Sequence, residues 1–342
     1  MWSPDTRLHD PRSEVWVGVA TPGTEVAERV DVILAALREA GHRLLEPPAS
    51  SGSDLESVHD PELLEFLRTA HERWLAGPYD EVGQDRVVPY LFPTPAMTAG
   101  LPTTPATAVH AEAGRFAYDT MTLVGPGTWR AARAAADCAA YAASLVCAGE
   151  LTAYALCRPP GHHATRLGYG GSCYLNNAAV AAEALRRGGA ERVGIVDLDA
   201  HHGNGTASIF YARGDVLYGS VHVDPGAGWF PHVVGYAQET GTGDGVGATR
   251  NLPLSPGTGD AGWLPAVAEL TDWVSGSCDA IVVSLGVDAA RDDPESPLLV
   301  SSDGYRQAGA LVTALGLPTV VVQEGGYHLP TLGALVSAYL AG

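Results

Sequence analysis

Positions 195–206 read IVDLDAHHGNGT. An apolar run leads straight into two aspartates and two histidines within six residues. Val and Ile favour strands and Asp disfavours them, so the polar group marks a strand end whose cost something must repay. Side chains on extended backbone alternate faces, so Asp197, Asp199 and His201 would point one way. Two carboxylates and an imidazole on one side make a cation site. The glycines of HHGNGT let the chain turn tightly into a following helix.

Other apolar runs surround this one: VWVGVA (15–20), TAYALC (152–157), RVGIVDL (192–198), DVLYGSVH (215–222), AIVVSLGV (280–287) and TVVVQE (319–324). They are rich in Val and Ile and lack polar alternation, as buried strands do. Ala- and Leu-rich helical stretches lie between them, at 24–40, 61–75, 128–148, 176–187, 262–275 and 303–315. Strands alternating with helices predict an α/β fold with a mostly parallel sheet covered on both faces. Residues 77–107 are rich in Pro, Gly and Thr without periodicity, and a second Gly-rich loop spans 224–260. Long aperiodic connections of that kind are functional loops or linkers. Nothing resembles a second core, so 1–342 reads as one domain with an insertion at 77–107.

What ends each strand points to function. TAYALC runs into Arg158, His162 and His163, and RVGIVDL into Asp199, His201 and His202. The later strands end at His222, at Asp288, and at Glu324-Gly-Gly-Tyr327. Open parallel sheets bind ligands at the carboxyl ends of their strands. Asp and His suit zinc, or another borderline divalent metal such as iron(II) or cobalt(II). Catalytic zinc takes three protein ligands and leaves one position open. Asp199 and His201 supply two, and Asp288 is the best third. An Asp after a strand often only caps the next helix, but three coincident features at one edge favour the metal. His162 and His163 suit acid–base work near neutrality. Tyr327, after two glycines, is placed to donate to a developing oxyanion; taken alone it would read as a packed aromatic.

These residues match a known family. RPPGHHA, DLDAHHGNGT, SLGVDAARDDP and EGGY resemble the histone deacetylase superfamily, closest to its class II-like bacterial branch, which includes acetylpolyamine amidohydrolases. VHDPELLEFL, GTWRAARAAADCAAYAA, CYLNNAAVAAEAL and HVDPGAGWFPH extend the resemblance in order over most of the chain. It implies an arginase-like three-layer α/β/α fold and hydrolysis of an acyl amide to an amine and a carboxylate. By position it makes Asp199, His201 and Asp288 the zinc ligands, and His162 and His163 the tandem catalytic histidines. Asp197 becomes the partner of His162, Asn204 that of His163, and Tyr327 the carbonyl-polarising tyrosine. His163 would take the proton of the attacking water, with His162 mainly electrostatic. A structural potassium ion is implied near Asp197, Asp199, His201 and Ser220. The chain departs from the family at two points. Ser172 stands where members carry a Phe that walls the acyl-lysine channel, with Phe230 as the opposite wall and Tyr169 as the nearest aromatic able to fill the gap. Ala290 stands where bacterial members often carry His.

Composition narrows the substrate. A net charge of −19 over 342 residues argues against nucleic acid and anionic membranes; it would favour small cationic molecules near the surface, although taken alone it reads first as solubility. No apolar run reaches eighteen residues, and the first residues lack the basic and apolar regions of a secretory signal. The five cysteines, Cys138, Cys147, Cys157, Cys173 and Cys278, lack CxxC spacing, which predicts reduced thiols and a cytoplasmic enzyme. The leading expectation is a deacylase of a small acylated amine such as an acetylpolyamine. The alternatives are a protein acetyl-lysine deacetylase and a catalytically inert metal-binding or interaction protein. By the same resemblance the 77–107 loop either narrows the pocket or joins copies into a homodimer or larger homo-oligomer.

Overall fold

A computed structural model describes residues 1–48 and 53–342. A 3-10 turn (Pro4–Leu8) precedes a hairpin, β1 (Ser13–Trp16) and β2 (Val19–Pro22). Among the described residues six further strands follow: β3 (Thr152–Ala155), β4 (Val193–Asp197), β5 (Val216–Val223), β6 (Thr249–Leu254), β7 (Ala280–Leu285) and β8 (Thr319–Gln323). They form one sheet in the order β3-β8-β7-β4-β5-β6, and every pairing in it is parallel.

The strands read as continuous apolar runs because both faces are covered. Val193, Ile195, Val282, Val320 and Val322 face one core with the helices Thr128–Cys147 and Asn177–Arg187. Val196, Ile281, Val283, Leu285 and Val321 face the other, with the helices Glu28–Glu39, Asp260–Ser275, Ser302–Thr313 and Leu329–Leu340. Alternation along each strand thus sorts side chains into two cores, which gives the expected α/β/α layers.

The strand order places the site. After β4 the chain adds β5 and β6 on one side, then returns to the other side of β4 for β7 and β8. Asp197 of β4 lies level with Ser284 of β7. The loops leaving these two strands therefore part at the switch point, where open α/β sheets form their crevice.

Two expectations fail. VWVGVA is not a buried strand: it is the tip of the β1–β2 hairpin, with Trp16, Val17 and Val19 60%, 78% and 62% exposed. Val17 and Gly18 both take positive φ, +50° and +80°, the backbone of a tight hairpin turn. An apolar run has the same composition whether it crosses a core or folds back at a glycine. The 224–260 loop contains β6, whose Arg250 and Pro253 mask it; as an edge strand it tolerates both. Segment 77–107 has one short 3-10 turn (Pro78–Val82) and a single helical turn (Pro95–Thr98). Among the described residues no helix is long and apolar enough to cross a membrane.

Candidate active site

At the crevice, Nδ1 of His201 lies 3.3 Å from Asp199 Oδ1 and 3.1 Å from Asp288 Oδ2. All three donors fall within 4.8 Å of one another, and both aspartates are fully buried. Hydrogen bonds aim each ligand. Asp199 accepts from the amides of His201 (Oδ1, 2.9 Å) and Gly325 (Oδ2, 2.8 Å), and Asp288 accepts from Ala200 N–H (Oδ1, 2.9 Å). Nε2 of His201 sits 3.0 Å from the Glu295 carbonyl. A carbonyl only accepts, so Nε2 carries the hydrogen and Nδ1 presents its lone pair to the carboxylates.

Three electron-pair donors thus converge with no hydrogen between them unless Nδ1 is protonated. Burial disfavours that charge on His201, but the hydrogen bonds that its Nδ1–H would donate to Asp199 and Asp288 outweigh it and hold the pKa well above the ordinary value. Burial, then the charge of Asp199, pushes Asp288 up to about 7. A site that traps a proton between two carboxylates fits a divalent cation, which balances both charges at once. Two carboxylates and an imidazole suit zinc, iron(II) or cobalt(II).

The tandem histidines differ in state. His162 Nδ1 lies 3.1 Å from Asp197 Oδ2, and its Nε2 3.6 Å from Asp199 Oδ1. Burial opposes its charge, but Asp199 and Asp197 prevail and push its pKa up to about 10. His163 Nδ1 lies 2.7 Å from Asn204 Oδ1. Burial, then the nearby His162 and His201, holds His163 well below the ordinary value. Asn204 accepts there, so Nδ1 carries the hydrogen and Nε2 keeps a lone pair. Asp197 stays outside the three-donor cluster and also accepts from the Tyr218 hydroxyl at 3.0 Å. Buried Glu324 Oε2 accepts from Gly161 N–H (2.6 Å) and His162 N–H (3.1 Å), tying the histidine loop to the end of β8.

A cavity of about 440 Å³ opens over these groups, lined by His163, His201, Tyr327, Gly171, Ser172 and Phe230 and also by Glu14, Trp16, Trp229 and Glu295. The Phe230 ring meets His163 edge to face at 4.7 Å. Burial raises the Tyr327 hydroxyl well above its ordinary pKa, so it remains a donor. Arg29 lies 4.9 Å from the Tyr327 ring centroid and donates to the carbonyls of Gly326 (2.7 Å) and Glu324 (2.6 Å).

Comparison with known proteins places this geometry. Residues 23–342 match the histone deacetylase domain. The acetylpolyamine amidohydrolase of Mycoplana ramosa is 40% identical over 100% of this chain and 98% of its own. That of Burkholderia pseudomallei is 43% identical over 99% and 96%. The chain belongs to the histone deacetylase family. A crystal structure titled as the B. pseudomallei acetylpolyamine aminohydrolase superposes with a TM-score of 0.92 at 42% identity, covering 99% of this chain and 96% of that one. The HDA15 HD domain superposes at 0.78 with 31% identity, covering 99% and 88%. The histone deacetylase fold is arginase-like, the family is metal-dependent, and this member is an amidohydrolase of the deacetylase type.

Within this histone deacetylase fold, the predicted residues His162, His163, Asp197, Asp199, His201, Asn204, Asp288 and Tyr327 all gather at the one crevice, and Ser172 and Phe230 line the cavity above it. Tyr169 does not. It is fully buried, stacked between Phe66 and Tyr174 at 6.2 and 5.8 Å, because its ring completes the core under the helix Pro61–Leu75. It does not line the cavity beside Ser172. Ala290 is buried and lines no part of the cavity. Sequence reasoning missed Glu14, Trp16, Arg29, Asp293 and Glu295. The one available signal was Glu14-x-Trp16, two positions on one face of a strand.

Proposed function

We propose that this chain hydrolyses the acyl amide, most simply the acetyl amide, of a small cationic amine, and that an acetylpolyamine is the natural class. One observation carries the reading: a single cavity is lined both by His163, His201 and Tyr327 and by the acidic residues Glu14 and Glu295. A linear acylated amine with its amide beside His163 and Tyr327 would bring its distal ammonium to those carboxylates. The relatives from M. ramosa and B. pseudomallei, both named acetylpolyamine amidohydrolases, support the same substrate class.

Asp199, His201 and Asp288 would hold the metal, with zinc first among the ions they suit. When bound, such an ion polarises the amide carbonyl and makes an adjacent water more acidic. His163 Nε2 accepts the proton of that water and returns it to the leaving amine. His162, fixed by Asp197, stays in place and would act mainly electrostatically on developing negative charge. Tyr327 O–H donates to the carbonyl oxygen as it becomes anionic.

Potassium is assigned to the strand ends at Asp197, Asp199 and His201, with Ser220. His222 Nε2 lies 2.7 Å from the Gly235 carbonyl, and burial lowers the pKa of His222 to about 4. Nε2 therefore carries the hydrogen, and Ser220 O–H donates to Nδ1 at 2.8 Å. The serine oxygen keeps its lone pairs for a hard cation. Residues 1–342 act as one catalytic domain in this reading. Exposed Tyr90, Met97 and Leu101 on the 77–107 loop support contact between copies.

The test is a panel of mono-acetylated diamines, acetyl-lysine peptides and acetylated aryl amines, with metal content measured on the same sample. Turnover of acetylated diamines with one bound divalent metal per chain is expected. Turnover of acetyl-lysine peptides alone would overturn the substrate assignment.

A further inference from the structure

Asp293 belongs to the loop that carries Asp288, within the motif SLGVDAARDDP, and no step above uses it. It is 7% exposed. A buried carboxylate is costly unless hydrogen bonds hold its charged form. Here they come from backbone: Oδ2 accepts from Tyr327 N–H at 2.7 Å and from His328 N–H at 3.2 Å, and Oδ1 accepts from Glu295 N–H at 3.1 Å.

Two consecutive amides can reach one oxygen only if the chain curls around it. The carboxylate therefore dictates the path of the backbone at Tyr327. Arg29 holds the same segment from its other pole, through the carbonyls of Glu324 and Gly326. An anion takes the amides and a cation takes the carbonyls, so residues 324–328 are clamped in one conformation. Tyr327 carries its hydroxyl at the far end of a rigid ring, so movement at its Cα reaches the cavity undiminished.

We propose that Asp293 is a positioning residue: it fixes the backbone at Tyr327 and His328, and through it the Tyr327 hydroxyl, relative to the loop bearing Asp288. The inference rests on Tyr327 acting at the scissile carbonyl. Misplacement of a catalytic group by about 1 Å costs on the order of 10²-fold, and that loss is expected in kcat for Asp293→Ala.

The experiment uses the metal-loaded full chain, with Asp293→Ala and Asp293→Asn each made alone and with Tyr327→Phe, assayed on a mono-acetylated diamine. If Asp293 works through Tyr327, its loss lowers kcat strongly in wild type and less than about 3-fold in the Tyr327→Phe background, the non-additivity of coupled residues. An equal fall in both backgrounds, or an effect confined to KM, overturns the proposal. Amide hydrogen exchange on the metal-free protein gives a readout without turnover. Both variants should exchange faster at 324–328 and unchanged in the helix Glu28–Glu39; unaltered exchange at 324–328 in the better-folded variant overturns the proposal. If wild type deacylates no acylated amine, the functional reading falls, and the exchange data still decide whether Asp293 holds the loop.

Discussion

Replacing Ser172 by Phe should narrow the passage to the metal and move selectivity toward slender substrates. Ser172 lines the cavity next to Gly171, and Phe230, which packs on His163, supplies an aromatic wall. Tyr169 lies in the core and cannot fill the gap. A linear chain passing Phe230 therefore meets a hydroxymethyl group rather than a ring at position 172. Burying a methylene is worth about 0.8 kcal/mol. If the new ring covers half of two methylenes it contributes about 0.8 kcal/mol, roughly fourfold in kcat/KM at about 1.4 kcal/mol per tenfold. An aryl or branched group at the same place would be overpacked, at a cost of about 1–3 kcal/mol. Together the ratio of kcat/KM for a linear acetylated amine over an acetylated aryl amine should rise between roughly 20-fold and several hundredfold. Ser172 has φ +63°, so a Phe there costs some stability, but that loss is common to both substrates and cancels in the ratio. The assay is steady-state kinetics of both substrates on both proteins with metal content matched. An unchanged ratio would show that the passage does not run past Ser172.

Asp288→Ala should remove one of three ligands, abolish metal retention and turnover, and leave a melting temperature that no longer rises on adding zinc; a metal-responsive, active variant would refute the ligand set. Tyr327→Phe should lose on the order of 10²–10³ in kcat with KM little changed, as expected for one oxyanion donor, and a change in KM alone would contradict that role. Burial, then the charge of Glu295, pushes Glu14 up to about 7. Its anion, and so its attraction for an ammonium, is present above that pH and lost below it. The kcat/KM for a cationic acetylated diamine should rise through about pH 7, and Glu14→Gln should remove that limb while a neutral acylated amine shows neither effect.

The repeating β–α order, the parallel sheet and the polar groups at the strand ends are all readable along the chain. These follow from local rules: a strand buried on both faces must be apolar along its length, and helical periodicity shows in a single segment. The motifs around His162, Asp199, Asp288 and Tyr327 were legible for the same reason, since each stands directly after such a strand. What lay beyond it depended on partners distant along the chain. VWVGVA reads as core by composition, yet the turn at Val17 and Gly18 sends it to the surface. Tyr169 is an aromatic near Ser172 in sequence, yet Phe66 and Tyr174 claim its ring. Glu14 and Glu295 meet in one cavity from opposite ends of the chain, and Asp293 finds the amides of Tyr327 and His328 across a loop. Only the tertiary structure decided these, because burial, electrostatic coupling and hydrogen bonding depend on distance in space, which composition and local periodicity do not encode.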